Sequence, residues 1–151
     1  MMPGSLYRIH KETKTIENSH LYSMWPIDDK NMYDFIGTII GPQGTSYEGG
    51  IFFLKIQFSD RYPFVPPNIR FLTPIFNPCI DTNGNITLEI LRDMWTPAMT
   101  VEKLLLTIMS TLNSFDIEYS PPNESILEIY KNNPTQYETM AREWTKKYAI
   151  D

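Results

Sequence analysis

The amino-acid sequence predicts an α+β fold. Residues 51–58 place Phe52, Leu54, Ile56 and Phe58 on one face, a two-residue period typical of a strand. Apolar residues recur near helical spacing at the N-terminus and again after Thr100. The gaps between the strand-like segments are too short for crossover helices. An antiparallel meander of strands, preceded by one helix and followed by three, satisfies all of this.

In the first element Leu6, Ile9 and Ile16 share a face, Ser5 is available as a cap, and the helix should end near Asn18. Residues 31–40 read as a strand, Gly41-Pro42-Gln43-Gly44 as a turn, and residues 68–72 as a further strand. Between the later strands lies Tyr62-Pro63-Phe64-Val65-Pro66-Pro67, whose three prolines exclude a helix or a central strand. Residues 73–86 follow as a long irregular stretch, with Pro74, Pro78, Asn83 and Gly84 as turn residues; such stretches in a compact domain commonly carry function. Thr100 then caps a helix on which Val101, Leu104, Leu105, Ile108 and Leu112 form a stripe wide enough for a central, largely buried position. A second long loop spans residues 113–123. Ile126, Ile129 and Tyr130 mark a short helix that stops before Pro134. Pro134 suits the first turn of a last helix, on which Tyr137, Ala141, Trp144 and Tyr148 share one face.

The 151 residues are the usual size of one domain with a single core, and the hydrophobic (42%) and charged (21%) fractions are ordinary for a soluble globular chain. Apolar runs such as residues 51–54 and 104–106 are far too short to cross a bilayer. Met1-Met2-Pro3-Gly4-Ser5 shows neither the basic nor the apolar segment of a signal peptide. Cys79 is the only cysteine, so no internal disulfide can form; a reducing compartment, cytoplasm or nucleus, is expected. The net charge is −5 and the 13 Lys and Arg are scattered, which argues against nucleic acid as a partner. Membrane is not an expected partner either, and no metal or cofactor is implied.

Three segments, in this order, resemble the ubiquitin-conjugating enzymes. Tyr62-Pro63-Phe64-Val65-Pro66-Pro67 is similar to their Tyr-Pro-Phe-x-Pro-Pro connector. Asn83-Gly84-Asn85-Ile86-Thr87-Leu88-Glu89-Ile90-Leu91, followed by Trp95-Thr96-Pro97-Ala98, resembles the family's Asn-Gly-x-Ile-Cys-Leu-Asp-Ile-Leu and Trp-Ser-Pro-Ala. Residues 141–149 are close to the C-terminus of the promiscuous stress-related subgroup, whose start Leu6 and Arg8-Ile9-His10-Lys11-Glu12 also resemble. The likeness covers residues 5 to 150 or nearly so. It implies the ubiquitin-conjugating enzyme fold, an N-terminal helix, a four-stranded antiparallel meander, a central helix and two C-terminal helices, with ubiquitin or a ubiquitin-like protein and RING-type ligases as partners.

The departures fall on the chemistry. In the family a cysteine thiolate accepts ubiquitin as a thioester, a role suited to a group that ionises near neutral pH and leaves readily. Thr87 occupies that slot. An alcohol needs a positioned base, and the only histidines, His10 and His20, lie in or near the first helix, which the family's layout places away from the site. The family's His-Pro-Asn aligns with Asn77-Pro78-Cys79. The asparagine amide there is credited with stabilising an oxyanion, a contribution of roughly 3 to 4 kcal/mol by analogy with other oxyanion holes. Cys79 is at best a weak donor. It reads either as a relocated nucleophile or as a small packing residue; nearby Asp81 would raise its pKa, and no cation flanks it in sequence. Glu89 stands in the family's aspartate slot, and the loop of residues 114–122 does not match the acidic loop that positions incoming lysine.

By the same resemblance Phe64, Pro97 and Ala98 match the positions that dock RING-type ligases, although Phe64 could instead pack inward against Trp95. Arg8 and Lys11 match basic positions used toward the activating enzyme, with Tyr7 replacing a lysine beside them. The reading that fits best is a catalytically silent binding module that competes for, or scaffolds, a ligase or an active conjugating enzyme. The family's cysteine-less variants act as partners of an active enzyme, but they typically lack the C-terminal helices kept here. An enzyme acting through Cys79, or less readily Thr87, is the alternative from another class, and a structural relict without ubiquitin contacts is the third.

Overall fold

The computed structural model describes residues 3–88, 91–114 and 122–150. Helix α1 (Gly4–Ile16) buries Ser5, Ile9, Glu12 and Ile16, an i, i+4, i+7, i+11 stripe. Ser5 does not cap it. It lies inside the helix, and its hydroxyl is 2.9 Å from that of Tyr33. A cap can be replaced by water, whereas this hydroxyl meets a partner only on the buried face.

The chain then forms the expected meander, in the order β1-β2-β3-β4 with every neighbour antiparallel. The strands are β1 (Tyr22–Asp28), β2 (Asn31–Ile40), β3 (Ile51–Gln57) and β4 (Asn68–Phe71). The sequence does not delimit β1, because Pro26 interrupts its pattern. β1 is an edge strand with a register shift between Pro26 and Asp28, where a missing backbone donor is tolerated. Register pairs Ile39 with Phe52, Gly37 with Leu54, Phe35 with Ile56 and Leu54 with Phe71, so one face of the sheet is continuous buried core.

Helix α2 (Val101–Thr111) lays Val101, Leu104, Leu105 and Ile108 into that core and packs against α1 and β2. Thr100 caps it, Oγ1 accepting from the Lys103 amide at 3.2 Å. Helices α3 (Glu124–Asn132) and α4 (Pro134–Tyr148) pack on each other, each opened by an asparagine side chain, Asn123 or Asn133. The Ile51 amide donates to the Ala149 carbonyl at 3.0 Å and fastens the end of α4 to β3.

Glu12 joins these parts. Its carboxylate, on a residue only 8% exposed, accepts from the Val101 amide at 2.7 Å, the Tyr62 hydroxyl at 2.5 Å and Arg8 Nε at 3.0 Å. Val101 is the first residue of α2, so the negative charge also meets the positive end of that helix. Burial, and then the bond to Glu12, hold the Tyr62 phenol above its ordinary pKa. Replacing Glu12 by Ala strands three donors, and folding free energy should fall by ~3 kcal/mol or more. Urea unfolding should show a lower midpoint with an unchanged m-value; an unchanged midpoint would contradict this account.

Candidate functional site

The Asp81-Thr82-Asn83-Gly84-Asn85 loop is built by its own polar groups. Asp81 Oδ1 accepts from the Asn83 amide (2.8 Å) and the Asn85 amide (2.9 Å), and Oδ2 accepts from Asn85 Nδ2 (3.1 Å). Burial alone would push the Asp81 carboxyl up, yet the bonds from Asn85, Asn83 and Gly84 together hold it below the usual aspartate value. Gly84 adopts φ +87°, and a Cβ there would come within 2.0 Å of the Phe71 carbonyl oxygen. The Phe71 amide donates to the Gly84 carbonyl at 2.8 Å, so this glycine seats the loop against β4.

Thr87 follows directly, half-buried, its amide donating to the Cys79 carbonyl at 3.0 Å. Asn77, Cys79 and Thr87, aligned only by resemblance, are therefore brought together in space. Their side chains do not share one role. Cys79 is 8% exposed, and its thiol lies within electrostatic reach of the Tyr47 and Tyr137 hydroxyls. A buried packing position is what the structure gives Cys79, in place of the accessible nucleophile weighed from sequence. A thiolate there would be desolvated. Glu89 lies outside the described residues, as does most of the loop after Ser114.

Asn77 is 1% exposed, and its side chain is engaged inside the protein. Its Nδ2 donates to the Tyr47 hydroxyl oxygen (3.1 Å) and the Leu112 carbonyl (3.0 Å), while Oδ1 accepts from the Cys79 amide (2.9 Å). Tyr47 donates its single proton to the Phe76 carbonyl at 2.7 Å. Tyr137, whose oxygen lies 2.7 Å from that of Tyr47, must therefore donate to it. Every proton in this chain has one direction, and α4 is tied through it to the 77–79 segment. Burial pushes Tyr47 up to about 12 from an ordinary 10.0, and burial with the Tyr47 neighbour raises Tyr137 as well.

A second surface gathers residues from three distant segments. Phe64 is 76% exposed and does not pack against Trp95; the inward alternative is excluded. Trp95 instead meets Tyr62, the ring centres 6.0 Å apart and the planes tilted by 39°, and its Nε1 donates to the Pro63 carbonyl at 2.8 Å. That bond brings the loop bearing exposed Pro97 and Ala98 beside the proline connector. Arg8 lies at the same place, Nη1 donating to the Pro97 carbonyl (2.6 Å) and Nη2 to the Met99 carbonyl (2.5 Å). Lys11 is exposed, its ammonium 5.5 Å from the Tyr7 ring centre. Sequence reasoning missed Glu12, Tyr47 and Tyr137 as organisers. An acid in the apolar stripe of α1 was the available signal for Glu12; none marked the tyrosine pair.

A four-stranded meander with its central helix, an Asn-Gly loop before the Thr87 segment and an aromatic–proline surface define a ubiquitin-conjugating type of domain. The comparisons agree. The family profile described as ubiquitin-conjugating enzyme matches residues 8–145. The fold superposes with a TM-score of 0.93 on a "putative ubiquitin conjugating enzyme" from Plasmodium yoelii, 36% identical, covering 100% of this chain and 99% of that one. The E2 domain of a Toxoplasma gondii ubiquitin conjugating enzyme gives 0.88 at 32% identity, covering 95% of this chain and 97% of that one. The chain belongs to the ubiquitin-conjugating enzyme family. Among the described residues no helix is long and apolar enough to cross a membrane, and no cluster of three or more His, Cys, Asp or Glu could hold a metal.

Two outcomes test the buried network. Asn77→Asp removes both Nδ2 donors and sets a carboxylate against the Leu112 carbonyl, so unfolding free energy should drop by ~3 kcal/mol or more, read by urea titration. The tyrosines also set an alkaline limit. The folded chain keeps the Tyr47 proton to about pH 12, whereas the unfolded chain releases it near the ordinary 10.0. The unfolded state then binds fewer protons, so the stability contributed by the Tyr47 proton is fully present below pH 10 and is lost as pH rises from there toward 12. Tyr47→Phe should make that decline shallower in thermal unfolding followed against pH.

Proposed function

We propose that this chain serves the ubiquitin pathway as a binding or regulatory partner of RING-type ligases or of active conjugating enzymes, and does not itself carry ubiquitin as a thioester. The observation that carries the reading is the burial of Cys79, the only thiol, with Thr87 in the slot that the resemblance assigns to the nucleophile. An alcohol at Thr87 is a weak nucleophile without a positioned base. The exposed Phe64, with Pro97 and Ala98 beside it, supplies the contact surface. An aromatic that keeps 76% of its surface in solvent contributes little to the core and is available to a partner.

The charging reaction with activating enzyme, ATP and ubiquitin tests this directly. The native chain and Cys79→Ala should form no adduct, whereas Thr87→Cys should gain one that thiols release. An adduct on the native chain that disappears in Cys79→Ala, or a thiol-resistant one lost in Thr87→Ala, would make the chain an enzyme and end this reading. For the surface, Phe64→Ala should weaken binding of an isolated RING domain by about tenfold, measured by calorimetry, with thermal stability unchanged.

A further inference from the structure

Arg8 stands among the positions that the family resemblance assigns to an activating enzyme, yet its guanidinium is already engaged within the chain. Nε meets Glu12 Oε2 at 3.0 Å, the two terminal nitrogens donate to the Pro97 and Met99 carbonyls, and the group lies 5.5 Å from the Tyr62 ring centre. Its side chain is 28% exposed, and that of Glu12 10%. The residues it grips flank Ala98 in a turn closed by the Met99 amide donating to the Thr96 carbonyl at 3.0 Å. Pro97 and Met99 carbonyls that both meet one cation fix the Pro97–Ala98 and Met99–Thr100 peptide planes, one just before Ala98 and one at the end of the turn.

We propose that Arg8 is the positioning residue of the Thr96–Met99 turn, a strut from α1 that sets the shape in which Pro97 and Ala98 meet a partner. This deepens the docking surface proposed above and rests on that reading for its function, though not for its geometry. The orientation is over-determined. Glu12 holds Nε, the Tyr62 ring supports one face of the guanidinium plane, and only the terminal nitrogens remain to reach the turn. Lysine could offer one point charge there, without the fork that spans two carbonyls. Across the surface the labour is divided: Lys11 points to solvent and is available to an acidic partner, whereas such a partner gains Arg8 only by releasing Pro97 and Met99.

Amide hydrogen exchange by NMR on the full chain tests the strut, because the Met99 amide reports opening of the turn. In Arg8→Ala its exchange should accelerate about tenfold or more, in Arg8→Lys by less, and in Lys14→Ala not at all, while the Ile39 and Leu54 amides in the sheet stay as they were. Unchanged Met99 exchange in Arg8→Ala would overturn the proposal. So would acceleration shared equally by Ile39 and Leu54, which would mean a global loss of stability. Calorimetry with the isolated RING domain separates this from the docking reading. Weaker binding of Arg8→Ala, in step with the opened turn, is the result expected. An opened turn with RING affinity unchanged in both Arg8→Ala and Phe64→Ala would sink the docking surface and the strut's role in it, leaving the strut as geometry alone.

Discussion

Glu12 brings a carboxylate into the seam between α1, α2 and the proline connector, and the arrangement of this half of the molecule follows from how that charge is satisfied. A carboxylate on a residue 8% exposed is tolerated only with donors on both oxygens, and here they come from three places: the first amide of α2, the Tyr62 hydroxyl and Arg8. None of these can move away without losing its own bond to the buried carboxylate. The Pro63 carbonyl next to Tyr62 receives the Trp95 indole, and Arg8 reaches the turn after it. One acid thus locates α2, the connector and the turn relative to α1, and exposed Phe64 rides on the connector as a consequence.

The opposite end depends on a different logic. Around Asn77 the network is made of amide, phenol and carbonyl groups, and each bonded proton has one acceptor, the two of Nδ2 going to the Tyr47 hydroxyl and the Leu112 carbonyl. A buried network of this kind specifies residue type tightly. Aspartate lacks the two donors, and phenylalanine at Tyr47 would leave the Phe76 carbonyl unpaired. The same segment buries Cys79 while its backbone carbonyl holds Thr87. What the Asn77-Pro78-Cys79 segment contributes is anchorage, with its polar atoms engaged inside the protein.

Much of the fold was legible before any coordinates. Alternation in β3, the Thr100 cap and the apolar stripe of α2 are local patterns, and local geometry alone generates them. Pro134 at the start of α4 worked for the same reason. β1 escaped delimitation because Pro26 is acceptable only on an edge strand, and which strand is at the edge is a property of the sheet. Ser5, available as a cap by its position in sequence, lies inside the helix because its hydroxyl meets Tyr33, 28 residues away. For the candidate site the family motifs aligned Asn77, Cys79 and Thr87, but alignment carries no information on burial. Whether Phe64 faced Trp95 or solvent rested on Tyr62 and the Pro63 carbonyl occupying the indole first.

The sequence by itself determined the four helices, three of the four strands, their order and the family, because periodicity, capping residues and ordered motifs are written in neighbouring positions. It also determined that one thiol and one threonine stand where a nucleophile and its surroundings are sought. Only the tertiary structure decided that the thiol is buried, that Phe64 is exposed, that Glu12 is a junction and that Arg8 grips a turn 89 residues away in sequence. Those outcomes come from hydrogen bonds between groups far apart in the chain, and a donor's partner is fixed only when packing has removed the water that would otherwise take its place.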